Sequence, residues 1–284
     1  MGGENSTLTA ADARQLLRRT GFGARPDQVA EIENRTRGEV VDELLDFRPT
    51  GFKPGGRNTY IAHNKWLKYI VKKVAKRGKA GTRRGLSARQ IGLQEKLVIF
   101  WHDHFATGDD KVFHTKAMGL QNKLLRTHCK GNFRDLVKAI NRDPAMMEYL
   151  DTVRNNKYAP NENYARELQE LFTLGVKDLL GNNTYSQDDI VQIATAFTGH
   201  RYNWNNLSTY FREDLHSELD DGPPVTKVIY TQHGNFGPGG ASFANPEGET
   251  ELDQVVDIIL QHPDTDTPPR NTTARHITKK LFQY

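Results

Sequence analysis

Between Gln90 and Phe105 the chain carries a helix-length segment that is apolar almost all round, with Leu93, Leu97, Phe100, Trp101 and Phe105 spread over its circumference. A helix of that character is buried rather than laid on a surface. The segments around it are amphipathic. Val29 and Ile32, then Val40, Val41, Leu44 and Leu45, repeat at helical spacing, as do Leu120, Leu124 and Leu125. Further on, Phe133, Leu136, Val137 and Ile140 do the same, followed by Met146, Met147 and Leu150. Leu252, Val255, Val256, Ile259 and Leu260 mark a last complete helix, stopped by Pro263. Punctuation agrees with this spacing: Thr9 is an N-cap with Asp12 completing an acidic first turn, Ser186 with Asp189 is an acidic capping box, Thr250 is a cap, and Gly21 and Gly175 are stops.

The expected fold class is therefore all-α, a multi-helix bundle with little or no β, in a single helical domain over residues 1–284. Two stretches depart from the pattern. Residues 48–58 read as a loop. Residues 201–248 are rich in Asn, Gly, Asp and Pro and read as an irregular excursion, with Val225 to Tyr230 its only plausible strand.

With 284 residues, 36% of them hydrophobic, the chain has enough apolar material for a substantial core. No stretch approaches the roughly 20 apolar residues that span a bilayer. The first residues, Met1-Gly-Gly-Glu-Asn-Ser6, lack the charged start and apolar centre of a signal peptide. Removal of such a signal would leave no trace, so an exported or periplasmic location stays open beside a cytosolic one. Cys129 is the only cysteine, which excludes an internal disulfide and any multi-cysteine metal site. Its neighbours His128 and Lys130 would favour a thiolate, yet no catalytic motif surrounds it.

The formal charge is only +4, but the basic excess is local: residues 65–89 hold ten Lys or Arg and no acid. Lys72, Lys76, Arg83 and Arg84 are the candidate anion-binding residues, for nucleic acid or another polyanion. The ordinary alternative is a solvated helix face, flanking the apolar stripe Leu67, Ile70, Val71 and Val74, followed by a basic loop from Gly78 to Gly85.

No Walker loop, Gly-x-Ser-x-Gly elbow or His-Glu-x-x-His helix is present. The most suggestive local feature is Phe100-Trp-His-Asp-His-Phe-Ala-Thr107. His102 and His104 are candidate ligands for a divalent transition metal such as zinc, iron or manganese. On a continuous helix they point about 200° apart, so a shared metal requires the helix to end there. Otherwise both are core histidines bonded to backbone.

The second feature is Asn161-Glu-Asn-Tyr-Ala-Arg-Glu-Leu-Gln-Glu-Leu-Phe-Thr-Leu-Gly175. Ala165, Leu168, Leu171 and Phe172 form its apolar face, with Arg166, Glu167 and Glu170 opposite. Glu167 and Glu170 are candidate ligands or general bases, with Arg166 steering an anionic group. Carboxylates on one helix facing histidines on another are how helical proteins build metal centres. The ordinary reading is a solvated face carrying ion pairs such as Glu162 with Arg166. His200 and His233 would complete a polar pocket only if the fold brought them to His102 and His104.

These motifs, with Leu16-Leu-Arg-Arg-Thr-Gly-Phe-Gly23, Tyr185-Ser-Gln-Asp-Asp-Ile190 and the stretch from His262 to Phe282, resemble the bacterial family known as domain of unknown function 1800. The resemblance runs over nearly the whole chain. It implies export for many members and a frequent gene neighbour from another uncharacterised family resembling sulfatases. It brings no established activity. Members are typically longer, and the helical pattern from Ala274 is still running at Tyr284, so a C-terminally truncated member is expected. Where the family commonly has His-Asn-His, this chain has His102-Asp103-His104, which argues against Asp103 as an essential ligand.

Three functional classes follow. One is a metal-assisted hydrolase or oxidoreductase using His102, His104, Glu167 and Glu170 with Arg166. Another is a non-catalytic helical module assisting an exported partner enzyme. The third is a polyanion binder acting through residues 65–89. Convergence of either histidine with either glutamate favours the first; separate pairing with backbone and Arg166 favours the second.

Overall fold

Thr9 begins the first helix as its spacing from Asp12 requires. In the computed structural model its hydroxyl accepts from the Asp12 amide at 3.2 Å, and the Asp12 carboxylate accepts from the Thr9 amide at 3.1 Å. The structure describes residues 3–51, 59–74, 86–216, 226–234, 236–237, 239–244 and 251–284. These form two compact units: residues up to 103 together with 122–131, and residues 104–121 together with 132–284.

In the first unit, α1 (Ala10–Thr20) is followed by α2 (Pro26–Ile32), which has Pro at its first position, and by α3 (Arg37–Leu45). Thr36 and Glu39 form a second capping box ahead of α3. Of the periodic residues, Leu17, Val29, Ile32, Val40 and Leu44 are buried, whereas Val41 is half-buried and Leu45 exposed. α4 (Thr59–Val74) departs from expectation. Leu67 and Val71 of the predicted apolar stripe are exposed, at 57% and 67%, whereas Ala62 and Ile70 are buried. The reason is Trp66, on the same face as both, whose indole N–H donates to Glu95 at 2.7 Å. That bond sets the rotation of α4 on α5 (Ala88–His104).

Glu95 is fully buried and receives both amino groups of Arg126, from α6 (Thr115–His128), one of them at 3.0 Å. A charged pair in a core persists only where paired and hydrogen-bonded, and the Trp66 donor adds to that satisfaction. Trp101 donates to the Cys129 carbonyl at 2.9 Å. Cys129 is buried, and burial pushes its thiol pKa up to about 11. This is the inert, structural environment for a cysteine.

The second unit contains α7 (Phe133–Asn141), α8 (Pro144–Tyr149), α9 (Asn163–Glu167), α10 (Gln187–Ala196), α11 (Glu251–Ile259) and α12 (Thr272–Gln283). Asn132, Asp143, Ser186 and Asn271 supply side-chain caps for α7, α8, α10 and α12. Leu136, Val137, Ile140, Val255, Val256 and Ile259, predicted from periodicity, are all buried, as are Ile190 and Ile193 of α10. The expected Thr250 cap lies outside the described residues; α11 is described from Glu251.

The fold is predominantly α, with two small antiparallel ribbons in the stretch read as irregular; one strand, over Lys227–Ile229, falls within Val225 to Tyr230, where a strand was expected. β1 (His200–Tyr202) pairs with β2 (Thr209–Phe211), and β3 (Lys227–Ile229) with β4 (Ala241–Phe243). The first ribbon was hidden by its turn: the Asn203 side chain accepts from the amides of Asn205 and Asn206, at 2.9 and 3.3 Å. Polar asparagines bonding their own backbone make a tight connection, not a disordered one. The second ribbon packs on α10 and α11, with Ile229 and Phe243 buried. Beside it lies a buried polar group. Lys227 Nζ is 2.7 Å from Glu251 Oε1, His216 Nε2 is 3.2 Å from Glu251 Oε2, and His216 Nδ1 is 3.0 Å from the Thr198 carbonyl.

Candidate functional site

The helix read over 161–175 exists, but changes its winding in the middle. α9 runs into a π-helical segment, Leu168–Thr173, and Gly175 closes it at φ +79°, in the left-handed region. Wider winding of this kind is common at functional sites because it re-aims the side chains that follow. Here the amides of Leu174 and Gly175 both donate to the Gln169 carbonyl, at 2.8 and 3.0 Å. The Thr173 hydroxyl donates to the Leu168 carbonyl at 2.6 Å.

Carbonyls near the end of the segment are claimed by two side chains from distant parts of the second unit. His104 Nε2 lies 3.0 Å from the Phe172 carbonyl oxygen. Because that oxygen only accepts, Nε2 carries the proton and Nδ1 presents a lone pair. That lone pair faces Lys280 Nζ at 3.3 Å, and the same ammonium donates to the Leu171 carbonyl at 2.9 Å. His104 is buried, with Phe105 edge-on and Phe133 and Phe172 tilted against it. Burial, and then the Lys280 ammonium, push its pKa down to about 3. A neutral imidazole with each ring nitrogen engaged, and a cation at the one lone pair, does not fit a metal ligand.

The other sequence candidates have separate surroundings. His102, in the first unit, stacks on Trp66 with centroids 6.0 Å apart, and burial lowers its pKa. Glu170 accepts from the Tyr185 hydroxyl at 3.0 Å. Glu167 is half-buried, and its pKa is raised by desolvation and then by Glu170. Arg166 is held by Glu162 and by Gln187, each at 3.0 Å. His200 is buried against Phe211, and burial with nearby Arg142 takes its pKa to about 3. Among the described residues no three His, Cys, Asp or Glu side chains are grouped so that they could hold a metal ion. Lys72 is exposed, while Lys76, Arg83 and Arg84 lie outside the described residues.

Two participants carried weak signals in sequence. Lys280 sits in the Lys-Leu-Phe pattern near the chain end, and Tyr185 opens the motif that caps α10. Each reads as an ordinary surface residue until the π-helical segment is seen to meet it. No helix among the described residues is long and apolar enough to cross a membrane.

A mostly helical protein whose central motif is tied to α12 by the Lys280 ammonium and to the end of α5 by the buried His104 is thus defined by the structure. The chain belongs to the family described as "Protein of unknown function (DUF1800)", whose model matches residues 15–284. Comparison with curated proteins and with solved structures gives no match.

Proposed function

We propose that the chain is a non-catalytic helical interaction module whose second unit presents a mixed apolar and basic face to a protein partner. The observation that carries this reading is the engagement of His104 by the Phe172 carbonyl and Lys280. The histidine that a metal-assisted mechanism needs works instead as a structural tie. Glu170, Arg166 and His102 likewise pair off separately, with Tyr185, with Glu162 and Gln187, and with Trp66.

The face itself supports the reading. Leu171, Val176, Leu179, Leu180, Leu281 and Phe282 are exposed on the π-helical segment, the loop after it, and α12, which packs beside that segment. Large apolar side chains gathered on adjoining elements mark interaction surfaces. Lys177 and Lys279 stand exposed among them.

Elemental analysis of purified protein tests the reading. Sub-stoichiometric zinc, iron and manganese in the wild type is the expected result. Near-stoichiometric metal that disappears in the His102→Ala/His104→Ala double variant would overturn the module reading in favour of a metalloenzyme. The surface is tested by Leu179→Ser/Phe282→Ser. That variant should keep its stability and lose the partner retained by the wild type from its native extract.

A further inference from the structure

α12 and the loop after the π-helical segment enclose a cavity of about 200 Å³, walled by Leu174, Leu179, Lys177, Arg275, His276 and Lys279 together with two acids. The acids, Asp178 and Asp264, are occupied in shaping the wall. Asp178 accepts from the amides of Leu180, Asn182 and Thr265 at 2.9, 3.0 and 3.1 Å. Asp264 accepts from the amides of Asp266 and Arg270 at 3.1 and 2.7 Å, and from Arg275. The guanidinium of Arg275 is divided between Asp264 and Asp266, which uses its planar fork.

What remains for a ligand is a different donor set. Lys177 and Lys279 are exposed and have no ion-pair partner among the described residues. His276 lines the wall as a neutral ring, its pKa lowered to about 4 by burial and then by the Lys280 ammonium. Two point-like ammonium groups suit a tetrahedral oxyanion, whose oxygens diverge. A planar carboxylate is best held by an arginine fork, and the fork here is already taken. Leu174 and Leu179 add an apolar part to the same wall.

We propose that this cavity binds a phosphoryl group, with Lys177 and Lys279 on its oxygens and the leucine wall against the carbon skeleton of a phosphomonoester. The proposal does not depend on the interaction-module reading, since metal content and partner retention are read separately.

The test is amide NMR of the full chain, titrated at constant ionic strength with inorganic phosphate, with phenyl phosphate, and with chloride as control. Saturable shifts confined to residues 174–182 and 264–279 are expected for both phosphates and not for chloride. In Lys177→Gln/Lys279→Gln the affinity should fall at least about tenfold, with the rest of the spectrum unchanged. Both substitutions lie on exposed side chains, so the fold is kept. Tighter binding of phenyl phosphate identifies an ester as the source; equal affinities identify free phosphate. Shifts that fail to saturate, or an unchanged affinity in the double variant, would overturn the proposal.

Discussion

Lys280 Nζ stands 3.3 Å from His104 Nδ1 and 2.9 Å from the Leu171 carbonyl, joining α12, the π-helical segment and the end of α5 across 176 residues of sequence. Replacing Lys280 with Met removes a charge-assisted donor from both. A loss of about 1–2 kcal/mol in chemical denaturation is expected. The His104 pKa should rise only part of the way towards 6.5, because burial is the larger cause of its depression. A full return to the ordinary value in an NMR titration would contradict that ranking.

Acid should destabilise the fold well above the carboxylate range. His104 and His200 are depressed to about 3, and His262 and His276 to about 4, in each case mainly by burial, against an ordinary 6.5. The unfolded chain therefore binds more protons between those values. The contribution is complete above pH 6.5 and is lost as pH falls through 6.5 towards 4. Each buried histidine supplies up to about 1.4 kcal/mol per pH unit, and His276 less because solvent screens it. Asp143 acts oppositely: burial raises it to about 7, so between 3.8 and 7 the folded state holds the extra proton. Four groups against one leave a net fall, and a stability profile flat from pH 6.5 to 4.5 would refute this balance.

Glu95→Ala should cost about 3–5 kcal/mol, because it strips Arg126 of its buried carboxylate and Trp66 of its acceptor. Adding Arg126→Met to that variant should recover most of the loss. Denaturation followed by tryptophan fluorescence reads both. No recovery in the double variant would mean that the ion pair itself, rather than the orphaned cation, carries the stability.

Asp189 separates a local cap from a long-range bond. It accepts from the Ser186 amide and hydroxyl at 2.7 and 2.8 Å, and from the Tyr230 amide at 2.5 Å. Tyr230 is held at φ +61°, in the left-handed region that a bulky residue avoids. Ser186→Ala should cost about 1 kcal/mol and Asp189→Ala about 3 kcal/mol. Equal losses would show that the Tyr230 contact adds nothing to the cap.

Cys129 should be inert while the protein is folded. Its thiol is buried and its pKa pushed up to about 11, so at neutral pH almost none is thiolate. A thiol reagent such as Ellman's should label it only after denaturation. Stoichiometric labelling of the native protein within minutes would disprove the buried assignment.

Local sequence settled most of the helical framework. Capping at Thr9, Thr36 and Ser186, the stop at Gly175 and the apolar spacing of α7 and α11 act within a few residues, so their physics is present in the sequence itself. The candidate motifs were equally visible as strings. Tertiary structure decided what each motif does. The rotation of α4 by the Trp66–Glu95 bond arises from a partner 29 residues along the chain. Tertiary structure likewise pairs His104 with Phe172 and Lys280 instead of with Glu167 or Glu170. Spacing along a helix reports which side chains share a face. Which distant donor or acceptor meets that face depends on chain closure over 29, 68 and 176 residues in these three pairs, and no local pattern encodes it.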